Sequence, residues 1–179
     1  ATQIQPFFMG IVVSVTVGIL LTLPISSAAI CAMIGISGLA GGAATVGCCC
    51  QMVGFAVMSF RENRWSGLVA QGLGTSMLQM GNIVRRPVIW LPTILSSAIL
   101  GPVSTLLFRL ENVGVSAGMG TCGLVGPLGV VTAMGEMTAR DWTGLVLLCF
   151  VLPAVVTLLL NELMRRLGWI RAGDLTLPQ

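Results

Sequence analysis

Charged positions divide this chain into long uncharged runs, and the runs set the expected architecture. Ala1 to Phe60 contains no charged side chain, and further uncharged runs cover Trp65 to Val84, Pro87 to Phe108, Asn112 to Gly135 and Trp142 to Asn161. Each has about the ~20 residues that a helix needs to cross a bilayer core. Pro6 to Leu23 is expected to be a transmembrane helix, with Pro6 suited to its first turn and Pro24 placed to end it. Thr45 to Phe60, Pro87 to Phe108 and Trp142 to Leu163 are expected to be further long helices, the second kinked or interrupted at Pro92 and Pro102.

Glycine sets the other runs apart. Val113 to Gly135 holds seven glycines and a proline in 23 residues, which does not suit a lipid-exposed helix. Gly72, Gly74 and Gly81 interrupt the run from Trp65 to Val84, which also carries Thr75, Ser76, Gln79 and Asn82. Broken polar backbone at membrane depth is tolerated only where protein buries it or a watery cavity meets it. Both runs are therefore expected to be re-entrant elements, entering from opposite sides. Pro24 to Ala44 is rich in small residues and reads as a short helix ending near Gly41 and Gly42, either re-entrant or an ordinary helix-contact face. The predicted fold class is an all-α polytopic membrane protein with two glycine-rich re-entrant, broken elements.

Composition strengthens this reading. The 179 residues are 55% hydrophobic and 8% charged, against about 25% charged in soluble domains. Arginine pairs at Arg61/Arg64, Arg85/Arg86 and Arg165/Arg166 mark ends expected to face the cytoplasm. If Arg64 and Arg85 share a side, the segment between them dips in and returns. Trp65 and Trp142 fall where interfacial aromatics belong. The chain begins with Ala1, without the charged flank of a secretory signal, and reads as if entered within a longer membrane domain. Residues 1–179 are expected to form a single membrane domain, the C-terminal portion of that larger one.

The six cysteines, Cys31, Cys48, Cys49, Cys50, Cys122 and Cys149, lie in hydrophobic surroundings and there is no histidine. They read as small packing residues, and neither a metal site nor a cofactor is expected. Histidine is also absent as a phosphate carrier, and there is no phosphate-binding Gly-x-x-x-x-Gly-Lys loop, so no catalytic residue is assigned.

The candidate solute-binding residues are Thr75, Ser76, Gln79, Asn82, Glu111, Asn112 and Thr121, with Ser116 as a further polar side chain nearby. Carboxylate, amide and hydroxyl groups in a confined pocket suit a polyhydroxylated solute. Gln79 and Asn82, three apart, share a helix face, to bind solute or to satisfy opened backbone. Thr75 and Ser76 suit the start of a short helix. Glu111 can accept solute hydroxyls or pair with Arg109.

Several phrases carry a family resemblance. Gly-Leu-Gly-Thr-Ser-Met-Leu-Gln at 72–79, Asn-Ile-Val-Arg-Arg-Pro at 82–87, Ser-Ala-Ile-Leu-Gly-Pro-Val-Ser-Thr at 97–105 and Gly-Met-Gly-Thr-Cys-Gly-Leu-Val-Gly at 118–126 resemble the phosphotransferase system EIIC, type 2, membrane family, which includes toxin-regulator-like members. Pro-Ile-Ser-Ser at 24–27 and Gly-Leu-Ala-Gly-Gly-Ala-Ala at 38–44 fit the same pattern. Cys122 departs from it, standing where serine is expected. The resemblance implies a sugar-translocating permease subunit in the bacterial inner membrane, giving alternating access. It also implies sugar as substrate, separate EIIA/EIIB-like phosphorelay proteins, the lipid bilayer and further copies of the chain as partners, and no nucleic acid. Other readings are a membrane-embedded regulator or sensor with a permease fold, and an uncoupled transporter of a small polar solute.

Overall fold

The structure, a computed structural model, describes residues 5–177, and among them every regular element is helical. Helix α1 runs Pro6–Thr22, α2 Ser27–Met33, α3 Gly38–Met58, α4 Phe60–Val69 and α5 Met80–Arg85. Helix α6 runs Leu91–Val103, α7 Gly114–Ala117, α8 Val125–Met134, α9 Ala139–Val146 and α10 Leu152–Arg166. Short 3-10 and π-helical turns join several of them into longer rods. Three rods are long and apolar enough to cross a membrane: Gly38–Met58, Pro87–Phe108 and Ala139–Arg166. Helix α1, with 17 residues, is a shorter apolar helix.

Helix α3 is the axis of the molecule. Its residues from Ala40 to Met52 are all buried, and α1, α6 and α10 pack around it. Such contact needs small side chains, because lipid gives helices no hydrophobic drive to associate and close backbone approach must supply the packing. A side chain at Gly47 would overlap the Ser14 backbone of α1, and one at Gly42 would overlap the Leu110 carbonyl. The α1–α6 seam is pinned by polar groups: Ser14 Oγ donates to the Ser97 carbonyl at 2.8 Å, and Thr105 Oγ1 to the Pro6 carbonyl at 3.0 Å.

Several boundaries differ from the sequence expectation, each for a local reason. Gly41 and Gly42 do not end a short helix. They lie in the first turns of α3, where the chain around Leu110 and Asn112 presses against them. Helix α2 instead ends at Met33, and the backbone turns through Gly35 at φ 66°. The polar stretch Arg61–Arg64 is not a plain loop: Arg61–Asn63 form a helical turn that breaks at Arg64, and Glu62 ties it to α10 through an ion pair with Arg165 at 2.8 Å. The last rod begins at Ala139, before Trp142, since Thr138 and Asp141 form a reciprocal capping box. Helix α6 continues past Pro102 and then widens into a π-helical turn, Ser104–Phe108. Such a turn is one way a helix accommodates a residue that cannot donate its backbone bond.

All six cysteines are free and five are buried, Cys122 being partly exposed. Cys48 packs toward α1, while Cys49 and Cys50 pack with Leu148 and Cys149. The triplet thus fills gaps on different sides of α3, as small buried thiols do.

Candidate functional site

The segment from Trp65 to Arg85 is a broken helical hairpin. Helix α4 kinks at Arg64 (φ 55°, ψ −148°), runs on into a π-helical turn at Ala70–Gly74, becomes extended at Thr75, and returns through a 3-10 turn, Ser76–Gln79, into α5. Its polar side chains hold this irregular backbone. Thr75 Oγ1 accepts from the Met77 amide at 3.1 Å, the cap expected of that hydroxyl. Gln71 Nε2 donates to Ser59 Oγ at 2.7 Å and to the Gly67 carbonyl at 3.2 Å.

A second broken hairpin spans Val113 to Met134. Its base is fixed to the start of α3: the Asn112 amide donates to the Gly38 carbonyl at 3.2 Å, and the Gly114 amide to the Ile36 carbonyl at 2.9 Å. Its tip needs left-handed backbone at Gly120, Gly123 and Leu124. At Gly120 a side chain would also strike Cys48 of α3, so only glycine suits the position. Ser27 Oγ of α2 donates to the Gly118 carbonyl at 2.7 Å and holds the tip from the other side.

The two broken hairpins meet one another. Arg86, just past the first, reaches Asp174 and the Trp169 carbonyl. Beyond the second, Arg140 donates to the Leu107 carbonyl. Thr121 Oγ1 at the second tip donates to the Gly72 carbonyl in the first. Beside this contact lies a cleft of about 450 Å³, bounded by Leu21 and Pro24–Ala28, by Gly74, Thr75 and Met77, and by Met119 and Cys122. Its size falls in the range that holds a small ligand. No charged side chain lines it. Hollows of about 450 Å³ between α1 and α2 and about 530 Å³ at the arginine-rich end involve one hairpin or neither.

The candidate residues distribute unevenly around this cleft. Thr75 lines it, and Ser76 and Thr121 are buried at the hairpin tips. Gln79 and Asn82 do share a face, with Asn82 Nδ2 donating to Gln79 Oε1 at 2.8 Å. Both also donate to the C-terminal segment, Gln79 to the Leu175 carbonyl at 2.9 Å and Asn82 to that of Thr176 at 2.9 Å. Asn112 is buried and fully engaged: Nδ2 donates to Thr45 Oγ1 and the Gly126 carbonyl, and Oδ1 accepts from the Val113 amide and Ser116 Oγ. Glu111 is exposed, and among the described residues it pairs neither with Arg109 nor with any other cation. The Leu110 carbonyl abuts Gly42 and the second tip abuts Cys48. Those positions are six residues apart on α3, or about 9 Å along its axis.

Sequence reasoning missed a polar cluster directly behind the cleft. Thr22 Oγ1 lies 2.9 Å from Ser76 Oγ and donates to Gln51 Oε1 at 3.3 Å, while Trp90 Nε1 donates to the same oxygen at 3.0 Å. Gln51 is buried among cysteines and methionine on a helix that otherwise carries only Thr45 as a hydroxyl or amide side chain, and that isolation was its only signal. The C-terminal segment was likewise unread as part of the hairpin's support.

Among the described residues no group of three or more metal-ligating side chains comes together. No curated protein and no solved structure matches the chain. The family model described as "Phosphotransferase system, EIIC" matches residues 1–177. With apolar spans, two broken hairpins joined at their tips and this match over nearly its whole length, the chain belongs to the phosphotransferase system EIIC family, the membrane component of that transport system.

Proposed function

We propose that this chain is a sugar-translocating permease subunit that binds an uncharged sugar in the cleft between the hairpin tips and gives it alternating access. The observation that carries the reading is the Thr121 to Gly72 contact beside the 450 Å³ cleft. Secondary transporters recurrently build a solute site from discontinuous helices that meet between the two faces. The two hairpins are read as re-entrant, one from each side of the bilayer. Thr75 contacts the sugar, and Ser76 and Thr121 set the spacing of the tips. Gln79, Asn82 and Asn112 steady the two hairpins, and Glu111 accepts a sugar hydroxyl when the second hairpin shifts along α3. Thr75 suits its role because a hydroxyl that accepts from an amide keeps its own O–H to donate.

Phosphate comes from separate EIIA/EIIB-like relay proteins, which act at the arginine-rich end. The protein sits as a multi-pass subunit in the bacterial inner membrane and works as a homo-oligomer. The decisive experiment is uptake of a labelled sugar panel into vesicles, with and without an internal phosphoenolpyruvate relay, followed by analysis of the trapped solute for phosphate. Phosphorylated sugar that appears only with the relay is the expected result. Free sugar in both cases makes the chain an uncoupled transporter, and no uptake by folded protein makes it a membrane-embedded regulator.

A further inference from the structure

The cleft offers a solute fewer polar groups than the sequence candidates lead one to expect. Gln79 and Asn82 bond to the C-terminal segment, Asn112 bonds to Thr45 and the second hairpin, and Glu111 does not line the cleft. Three hydroxyl side chains remain in its wall, Ser26, Ser27 and Thr75, with no amide, carboxylate or guanidinium among them. Ser27 Oγ already donates its proton to the Gly118 carbonyl. Ser26 Oγ accepts from the Ala29 amide at 3.2 Å and Thr75 Oγ1 from the Met77 amide at 3.1 Å, so each keeps its O–H to donate. The side chains of the wall thus have two O–H donors to give.

The rest of the wall is apolar, and at the hairpins it is sulfur. Met77 comes from the first hairpin, Met119 and Cys122 from the second, and Leu21, Pro24 and Ile25 from the end of α1 and the turn after it. Met77 is exposed and Met119 and Cys122 are half-buried, so the fold leaves this sulfur surface without a full cover of its own. Thioether and thiol groups are polarizable and pack well against apolar and aromatic surface. A free hexose carries a hydroxyl on nearly every carbon, and so few partners leave several of them unpaired once water is gone, which is costly. An apolar group on the sugar does the reverse, because it removes the sulfur surface from water.

We propose that the cleft selects glycosides: neutral sugars whose anomeric oxygen carries an apolar alkyl or aryl group, which packs on Met77, Met119 and Cys122 while Ser26 and Thr75 donate to sugar oxygens. The proposal rests on the reading of the cleft as a sugar site and names the class of sugar. Neutrality follows from the wall, which holds no charge to offset one on the solute. Attachment through the anomeric oxygen leaves the remaining ring hydroxyls free, as the proposed coupling to phosphate requires.

The test is equilibrium binding of free hexoses, of their phenyl glycosides and of phenol alone to the purified full chain in lipid nanodiscs, for wild type and Met119→Gln. Glutamine keeps the side-chain length and replaces the thioether with an amide. In wild type a phenyl glycoside is expected to bind roughly tenfold more tightly than its parent hexose, the order of gain from burying part of an aromatic ring. In Met119→Gln that preference is expected to shrink to about threefold. Should that variant not fold, Cys122→Ser, nearly the same in size, reads the same narrowing. Equal binding of glycoside and hexose by wild type, or a preference that neither substitution changes, overturns the selectivity and leaves the sugar site standing; the second result would place the phenyl group in lipid. If phenol binds as tightly as the glycoside, or if wild type binds neither hexose nor glycoside, the sugar reading fails and this inference falls with it.

Discussion

At the scale of residues, Glu111 differs from the other candidates because nothing occupies it. It is exposed and makes no side-chain hydrogen bond or ion pair among the described residues, so neutralising it removes no contact on which the fold depends. Glu111→Gln is expected to weaken sugar binding at least tenfold at an unchanged unfolding temperature, measured by calorimetry on the same preparation. Retained binding would leave the carboxylate without a role in the site. Asn112 is the opposite case, with donors and acceptor all engaged by the fold. The sequence showed both as polar residues beside a glycine-rich run and gave no means of telling them apart. The helical spacing of Gln79 and Asn82 was legible, and the two do bond to each other. Their acceptors at Leu175 and Thr176 are 96 and 94 residues away, beyond the reach of any local pattern.

At the scale of elements, glycine density marked both broken hairpins, because irregular buried backbone and close approach both favour small residues. It misplaced the end of the second helix for the same reason: Gly41 and Gly42 serve close contact with the Leu110–Asn112 backbone and leave α3 intact. The support of the first hairpin was invisible because it comes from a segment with no regular helix. Leu175 is fully buried beside Ile83 and Met58, and its carbonyl accepts from Asn63 and Gln79. Leu175→Ala is expected to cost about 3 kcal/mol, typical of a buried leucine, and to raise amide exchange in Met80–Arg85 more than in Val125–Met134. Hydrogen-exchange mass spectrometry reads both segments in one experiment. Equal change in the two would mean that the C-terminal segment braces the whole bundle and not this hairpin.

At the scale of the whole molecule, charge is sorted by end. Arg61, Arg64, Arg85, Arg86, Arg165, Arg166 and Arg171 gather where α3 and α10 finish, with Glu62, Glu162 and Asp174 among them, a net +4. The opposite end carries Arg109 and Arg140 against Glu111, Glu136 and Asp141, a net −1. The positive-inside rule predicts a cytoplasmic arginine-rich end, and the proposed re-entrant reading makes a sharper demand than the rule alone. On that reading, both limbs of the first hairpin reach that end and both limbs of the second reach the other. Single cysteines at Ser66, Arg85, Val113 and Glu136, all exposed positions, report this when treated with a membrane-impermeant maleimide in intact and in permeabilised cells. Val113 and Glu136 are expected to label in intact cells, and Ser66 and Arg85 only after permeabilisation. A hairpin that crossed the bilayer would split its pair, so Ser66 and Arg85 labelling from different sides would overturn the proposed re-entrant geometry and the shared solute cleft that rests on it. A reversal of all four together would keep the geometry and invert only the insertion, turning the arginine-rich end away from the phosphorelay proteins that the proposed coupling requires.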